Sequence, residues 1–395
     1  MSASDMSALL AKVEQGSECV FSAAELEGRQ ARLRAVMKAK GIDLYLTSSA
    51  ENVFYLSGQQ TPGYYTFQCL CVPSDGAPFH VIRGLEALNA RANTYIGDII
   101  GYDDGAVPAV ALAETLKQRG WSGKRIAIDR NAWFFTVNIY ERLTNEFGAF
   151  QDGSAIVEEL RRVKSPTELG YMDQAATAND AGMAAGLKQV KRGANENDVA
   201  AAIMQASIAT GAEYVGMEPF VTSGPRSGIP HSTWRRRKFQ EGDVVILETA
   251  ACYNRYHAAL YRTVFVGQVP PDARKMYQVC EQGLDAALSK LKPGNTAADV
   301  HNAVQAVIDN AGYTAGFRKR SGYSIGIAFA PDWGEGNILS LYKGVDVKIV
   351  PGMAFHIPIT LRDYAKFTVA ISDTYVVTEQ GHRALSKLPR KLHEI

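Results

Sequence analysis

The chain has 395 residues, 46% hydrophobic and 21% charged, and its 42 basic side chains against 41 acidic ones leave a formal net charge of +1. That length exceeds one usual domain, so two are expected. A near-neutral chain gives no electrostatic reason to expect nucleic acid or an anionic membrane surface as a partner. No segment approaches the roughly 20 apolar residues needed to span a bilayer, and the N-terminus lacks an apolar signal core. Cys19, Cys69, Cys71, Cys252 and Cys280 form no CxxC pair, so neither a disulfide framework nor a zinc knuckle is implied. A cytoplasmic protein is the expectation. The densest basic run, Arg235-Arg236-Arg237-Lys238, reads as a solvated loop rather than a phosphate-binding patch.

Residues up to Glu18 read as a weakly ordered lead-in. Ser22 followed by Glu25 is a capping box opening a helix that Gly41 closes. Strands are expected at 42–46, 67–72 and 79–82, the last two split by the turn Pro73-Ser74-Asp75-Gly76. Tyr64-Tyr65-Thr66-Phe67 reads as an aromatic-rich strand running into the second of these. A helix at 108–118 and a strand at 125–128 continue an α/β domain. Ser165-Pro166-Thr167-Glu168 then combines a capping Ser, Pro at the first helical position and Glu at the third. Helices over 166–188 and 196–210 follow, then a strand pair over 243–251 and 256–266 turned at Tyr253-Asn254-Arg255. Asp272 and Thr296 are expected helix caps, and strands at 354–358 and 370–377 close the chain. Helices followed by antiparallel strands indicate an α+β second domain.

Four stretches carry a family resemblance: Val221-Thr222-Ser223-Gly224-Pro225 with Pro230 and His231; the run from Gly242 to Ala250 around Glu248; Tyr256 with Arg262 and Thr263; and Pro351-Gly352-Met353-Ala354-Phe355. In order and spacing they resemble the pita-bread superfamily of creatinase, aminopeptidase P, prolidase and methionine aminopeptidase. The resemblance implies an α/β creatinase-like N-terminal domain over 1–164 and an α+β pita-bread catalytic domain over 165–395. Peptidases of that superfamily hold two divalent ions with two Asp, one His and two Glu. The matching positions here are Glu248, Ala259, Tyr323, Pro358 and Ser372, so neither a metal nor another cofactor is expected. Asp373 lies one residue along from the last, on the opposite strand face.

A second set of motifs resembles the ectoine hydrolase branch, a non-peptidase part of the superfamily. It comprises Pro230-His231-Ser232-Thr233-Trp234, Arg255-Tyr256-His257-Ala258, Gly322-Tyr323-Ser324-Ile325-Gly326, Pro331-Asp332-Trp333-Gly334-Glu335 and Phe355-His356. Tyr261 and the stretch Ile359-Thr360-Leu361-Arg362 depart from that branch. The implied activity is metal-independent hydrolysis of a C–N bond in a small cyclic amidine acid. A creatinase-like amidinohydrolase and a non-catalytic binding protein on the same fold are the alternatives.

Glu248 stands on a strand apolar on both faces, where desolvation raises a carboxyl pKa and suits it to base or nucleophile. By the resemblance it attacks an amidine carbon. His231, in a polar loop, is a proton donor and acceptor, and Tyr323 a hydrogen-bonding partner for substrate or for Glu248. Arg320 matches a position that binds substrate carboxylate in creatinase, and a guanidinium grips that group bidentately. Its neighbours Arg318 and Lys319 make the same run readable as a solvated surface. Asp332 and Trp333 are expected to orient an amidinium, and Glu335 to act as a second acid–base group. Trp234, His257 and His356 complete the expected substrate contacts. Tyr65 and Arg83 of the first domain are expected to close a neighbouring subunit's site in a homodimer.

Overall fold

Pro at position 166 has no N–H to lose and sits where a helix leaves its first N–H groups unbonded, so the chain turns helical there and stays so for 24 residues. Ser165 accepts from the Glu168 N–H while the Glu168 carboxylate takes the Ser165 N–H at 2.7 Å, a complete capping box. The structure, a computed structural model, describes residues 8–395. It divides into two units, one ending at Arg161 and the other beginning at Arg162.

In the first unit α1 (Ala23–Lys40) leads to β1 (Leu44–Thr47), α2 (Ala50–Ser57), β2 (Gln68–Pro73), β3 (Phe79–Arg83), α3 (Ala87–Asn93) and β4 (Asp98–Tyr102). Then come α4 (Pro108–Gln118), β5 (Ile126–Ile128), α5 (Val137–Phe147), β6 (Gln151–Asp152) and α6 (Ile156–Arg161). The six strands form one mixed sheet in the order β4-β3-β2-β1-β5-β6. The lead-in is not loose over 16–18: the Gly16 and Glu18 N–H groups donate to the carbonyls of Arg91 and Ala92 at the end of α3. Tyr64 and Tyr65 lie in a short 3-10 turn, not in a strand, because Thr61 caps it and Pro62 opens it. Cys69 and Cys71 share a strand face with their sulfurs 4.0 Å apart, both as free thiols.

The second unit opens with α7 (Pro166–Gln189) and α8 (Glu196–Ala209), then β7 (Phe220–Ser223), β8 (Val244–Tyr253) and β9 (Tyr256–Phe265). Asn254 and Arg255 turn that last pair with φ of 47° and 63°, as a two-residue hairpin requires. Helices α9 (Pro271–Lys290) and α10 (Ala297–Asn310) follow, the second capped by Thr296. Asp272 lies inside the first turn of α9 rather than at its cap, since Pro270 holds the cap position. The chain ends in β10 (Gly322–Ser324), β11 (Ser340–Leu341), β12 (Ala354–His356), β13 (Ile359–Asp363), β14 (Phe367–Ile371), β15 (Thr374–Thr378), β16 (Gly381–Ala384) and β17 (His393–Glu394). The strand expected over 370–377 is two strands, broken at Ser372 and Asp373, whose side chains bond His356 and Arg262. A large apolar core lies between α9, α10 and the strands from β12 to β15. Among the described residues no helix is long and apolar enough to cross a membrane.

Candidate active site

Three strands place three side chains in one row. Antiparallel register sets Glu248 of β8 opposite Phe220 of β7 and opposite Tyr261 of β9, so all three project from the same sheet face. All three line a cavity of about 600 Å³ in the second unit. His231, Arg320, Tyr323, Asp332 and Trp333 also stand on its wall, which brings eight aromatic, acidic or basic side chains onto one volume.

Glu248 makes neither a hydrogen bond nor an ion pair with any described residue, and its carboxylate opens to the cavity. Burial pushes its pKa up from 4.5 to about 7, against the pull of Lys319 and then Arg362. His231 sits on the rim, exposed, with a φ of 54° that a non-glycine residue rarely adopts. Its ring stacks on Phe220 at 6.0 Å, and Phe220 meets Trp333 edge-on at 5.5 Å. The Tyr323 hydroxyl accepts from Trp333 Nε1 at 2.9 Å and lies 2.8 Å from His356 Nδ1. His356 Nε2 in turn meets Ser372 Oγ at 2.6 Å. Burial holds His356 neutral, its pKa down near 3, so it carries one ring proton. With that proton on Nδ1, Tyr323 accepts twice and its own hydroxyl proton is left for a cavity occupant. His356 is therefore a positioning residue behind Tyr323 rather than a substrate contact.

Besides His356, three expected site residues of the second unit do not line the cavity. Glu335 is fully buried in an ion pair with Lys164 at 2.7 Å, and Ser324 Oγ donates to the same oxygen; a carboxylate so engaged does not reach the cavity. His257 is buried, with Nε2 accepting from the Gly216 N–H at 3.0 Å and Nδ1 against the Arg255 carbonyl at 3.1 Å. Both ring nitrogens are spent on backbone, and its role is structural. Trp234 packs on the apolar cluster of α7, α8 and the β8–β9 sheet. In the first unit Tyr65 is exposed, and Arg83 is held bidentately by Asp104 at 2.6 and 2.7 Å. Arg237, read as solvated, pairs with Asp243.

Two cavity cations were not singled out from the sequence. Lys319 donates to the Pro358 carbonyl at 2.7 Å, and Arg362 projects from β13. The alternation Pro358, Thr360, Arg362 against buried Ile359 and Leu361 is a period-two strand signal that points to them.

A model of metallopeptidase family M24 matches residues 170–379, and a creatinase/prolidase N-terminal domain matches 29–163. The chain is 30% identical to ectoine hydrolase of Halomonas elongata, over 94% of this chain and 98% of that one. It is 27% identical to an Xaa-Pro dipeptidase of Lactobacillus helveticus, over 90% and 98%. Among solved structures, dipeptidase PepE of Mycobacterium ulcerans superposes with a TM-score of 0.82 at 26% identity, over 95% and 99%.

The five positions that hold two ions in the peptidases do not fit that centre here. Ala259 faces the same way as Glu248 but offers a methyl group, Pro358 a ring and a carbonyl already bound to Lys319, and Ser372 a hydroxyl bound to His356. Asp373 points away, to Arg262 at 2.9 Å. Among the described residues no three His, Cys, Asp or Glu side chains gather as a metal site. Two close divalent ions need several anionic donors to offset their repulsion, and this set supplies Glu248 alone.

Proposed function

The chain belongs to metallopeptidase family M24, and within it we propose a metal-independent hydrolase that opens a non-peptide C–N bond in a small cyclic amidine acid, ectoine or a close relative. The observation that carries this reading is the Glu248 carboxylate, desolvated, unbonded and facing the cavity, while the partners a metal would need are replaced. An amidinium carbon is electrophilic without a metal, so one poised carboxylate suffices to begin its chemistry. Glu248 takes a proton from a water that adds to that carbon, or adds to it itself, in which case a water afterwards attacks the same carbon and the C–O bond to Glu248 breaks, returning the free carboxylate. A C–O bond forms and the C=N electron pair moves to nitrogen. Collapse breaks the ring C–N bond, the departing nitrogen takes a proton, and one water is consumed overall. His231 on the rim supplies that proton, and the Tyr323 hydroxyl donates to the ring nitrogen once the C=N electron pair has moved onto it. Asp332 and the Trp333 ring flank the cationic amidine. Arg320 keeps Nε and Nη2 for a carboxylate, since among the described residues only Nη1 is tied, to the Gly336 carbonyl and Ser340 Oγ, each at 3.0 Å.

The test is turnover of ectoine by protein dialysed against a chelator, followed by NMR. Ring opening at an undiminished rate is expected. Activity that appears only after a divalent metal is added, or only on an Xaa-Pro dipeptide, would overturn the reading in favour of a peptidase.

A further inference from the structure

The cavity wall carries four cations, Arg318, Lys319, Arg320 and Arg362, against two carboxylates, Glu248 and Asp332. A cyclic amidine with one carboxylate is neutral overall and uses Arg320, Glu248 and Asp332. Arg318 is exposed to solvent, which leaves Lys319 and Arg362. Their placement is fixed by the fold. Lys319 Nζ donates to the Pro358 carbonyl at 2.7 Å and to Thr360 Oγ1 at 3.3 Å, so the ammonium is held over the face of β13 that also projects Arg362. Two of its three donors are used; the third has no partner among the described residues.

Arg362 forms no ion pair with any described residue, and its Nε is buried without a hydrogen-bond partner. Two cations so close repel, and burial together with Arg362 pushes the Lys319 pKa down. Groups of this kind are costly unless an anion joins them. The carboxylate pulling against that shift is Glu248, the reacting group. Arg320 faces the other way from its neighbour Lys319, stacked 4.5 Å over the Tyr323 ring and tied to Gly336 and Ser340. The cationic groups therefore form two patches on different elements.

We propose that Lys319 and Arg362 form a second anion subsite, which ectoine with its one carboxylate leaves empty, and that the preferred substrate is a close relative carrying an acidic group at each end with the scissile C–N bond between them. This rests on the hydrolase reading for the bond cleaved, but not for the binding it predicts. Calorimetric titration of the full chain with glutarate and with pentanoate, equal in length and differing by one carboxylate, is the test. Glutarate is expected to bind about ten-fold tighter or better, as a charge-assisted fork on a second carboxylate gives. Arg362→Met and Lys319→Met should each cut that preference to about two-fold while changing pentanoate affinity by less than about three-fold. No glutarate binding, equal binding of the two acids, or a preference that survives both substitutions would overturn the subsite. Since titration reads no turnover, a protein that discriminates the acids but opens no amidine keeps the subsite and loses the hydrolase reading. The reverse result separates them the other way.

Discussion

Each unit of this protein buries a carboxylate whose pKa is raised by burial, and the two have opposite surroundings. In the first unit Asp129, pushed up to about 6, has both oxygens bonded: Oδ2 accepts from Thr47 Oγ1 at 3.1 Å and Asn52 Nδ2 at 2.9 Å, and Oδ1 from the Asn131 N–H at 2.9 Å. Asn52 also donates to Glu158 at 2.9 Å and accepts from Arg161 at 2.9 Å, so one amide ties three ionisable groups together. In the second unit Glu248 has the same kind of shift but no bonded partner, and it faces a cavity. Desolvation shifts a structural acid as readily as a catalytic one. What separates them is whether the oxygens are already satisfied.

The largest expected consequence is kinetic. Glu248→Gln keeps shape and removes the base or nucleophile, so turnover should fall by about 10²–10⁴-fold or more. Asp129→Asn in the same assay should leave kcat per folded molecule unchanged. A Glu248→Gln protein that retains near wild-type kcat would erase the contrast, and the attack would need another group. Stability should behave in the opposite sense. Removing the amide as Asn52→Ala takes one buried hydrogen bond from each of Asp129, Glu158 and Arg161, at about 2–3 kcal/mol, readable by denaturant unfolding. An Asn52→Ala protein as stable as wild type would mean that water replaces the amide and that the network is not tight.

Local signals made much of this legible in the sequence. The Ser165 cap, the Pro108 helix start, the Asn254 turn and the alternation of β8 and β9 are short-range features whose physics is complete within a few residues. The family motifs placed Glu248, His231, Tyr323, Asp332 and Trp333 together, and the cavity does hold them. Glu335 and Lys164 meet across 171 positions of sequence, and no local pattern announces such a pair. Arg318, Lys319 and Arg320 read as one solvated run. In the fold the last two diverge, Lys319 to Pro358 and Arg320 to Gly336, because each is drawn by a carbonyl on a different element. Arg362 stands in the sequence as a departure from a related loop, and the alternation Pro358, Thr360, Arg362 is the local signal that turns it to the cavity.

The smallest effect is the sharpest test of how Glu248 is held, and it concerns stability against pH. Its folded pKa, about 7, lies above the ordinary 4.5, so the folded chain binds this proton more tightly than the unfolded chain does. The resulting penalty is absent below about pH 4.5, grows as pH rises and is complete above about pH 7. Lys319 runs the other way: lowered from 10.5 to about 7, it carries its full penalty below about pH 7 and loses it toward pH 10.5. The neutral amide of the Glu248→Gln variant has no charge to desolvate. That variant should therefore match wild type near pH 4.5 and become more stable by about 1–2 kcal/mol at pH 7.5. Urea unfolding at three pH values between these limits measures the difference. A difference that stays flat, or a variant that is less stable at pH 7.5, would mean that Lys319 and Arg362 already neutralise Glu248 as ion-pair partners. The two cations would then belong to the nucleophile, leaving no charge over for a second acidic group on the substrate.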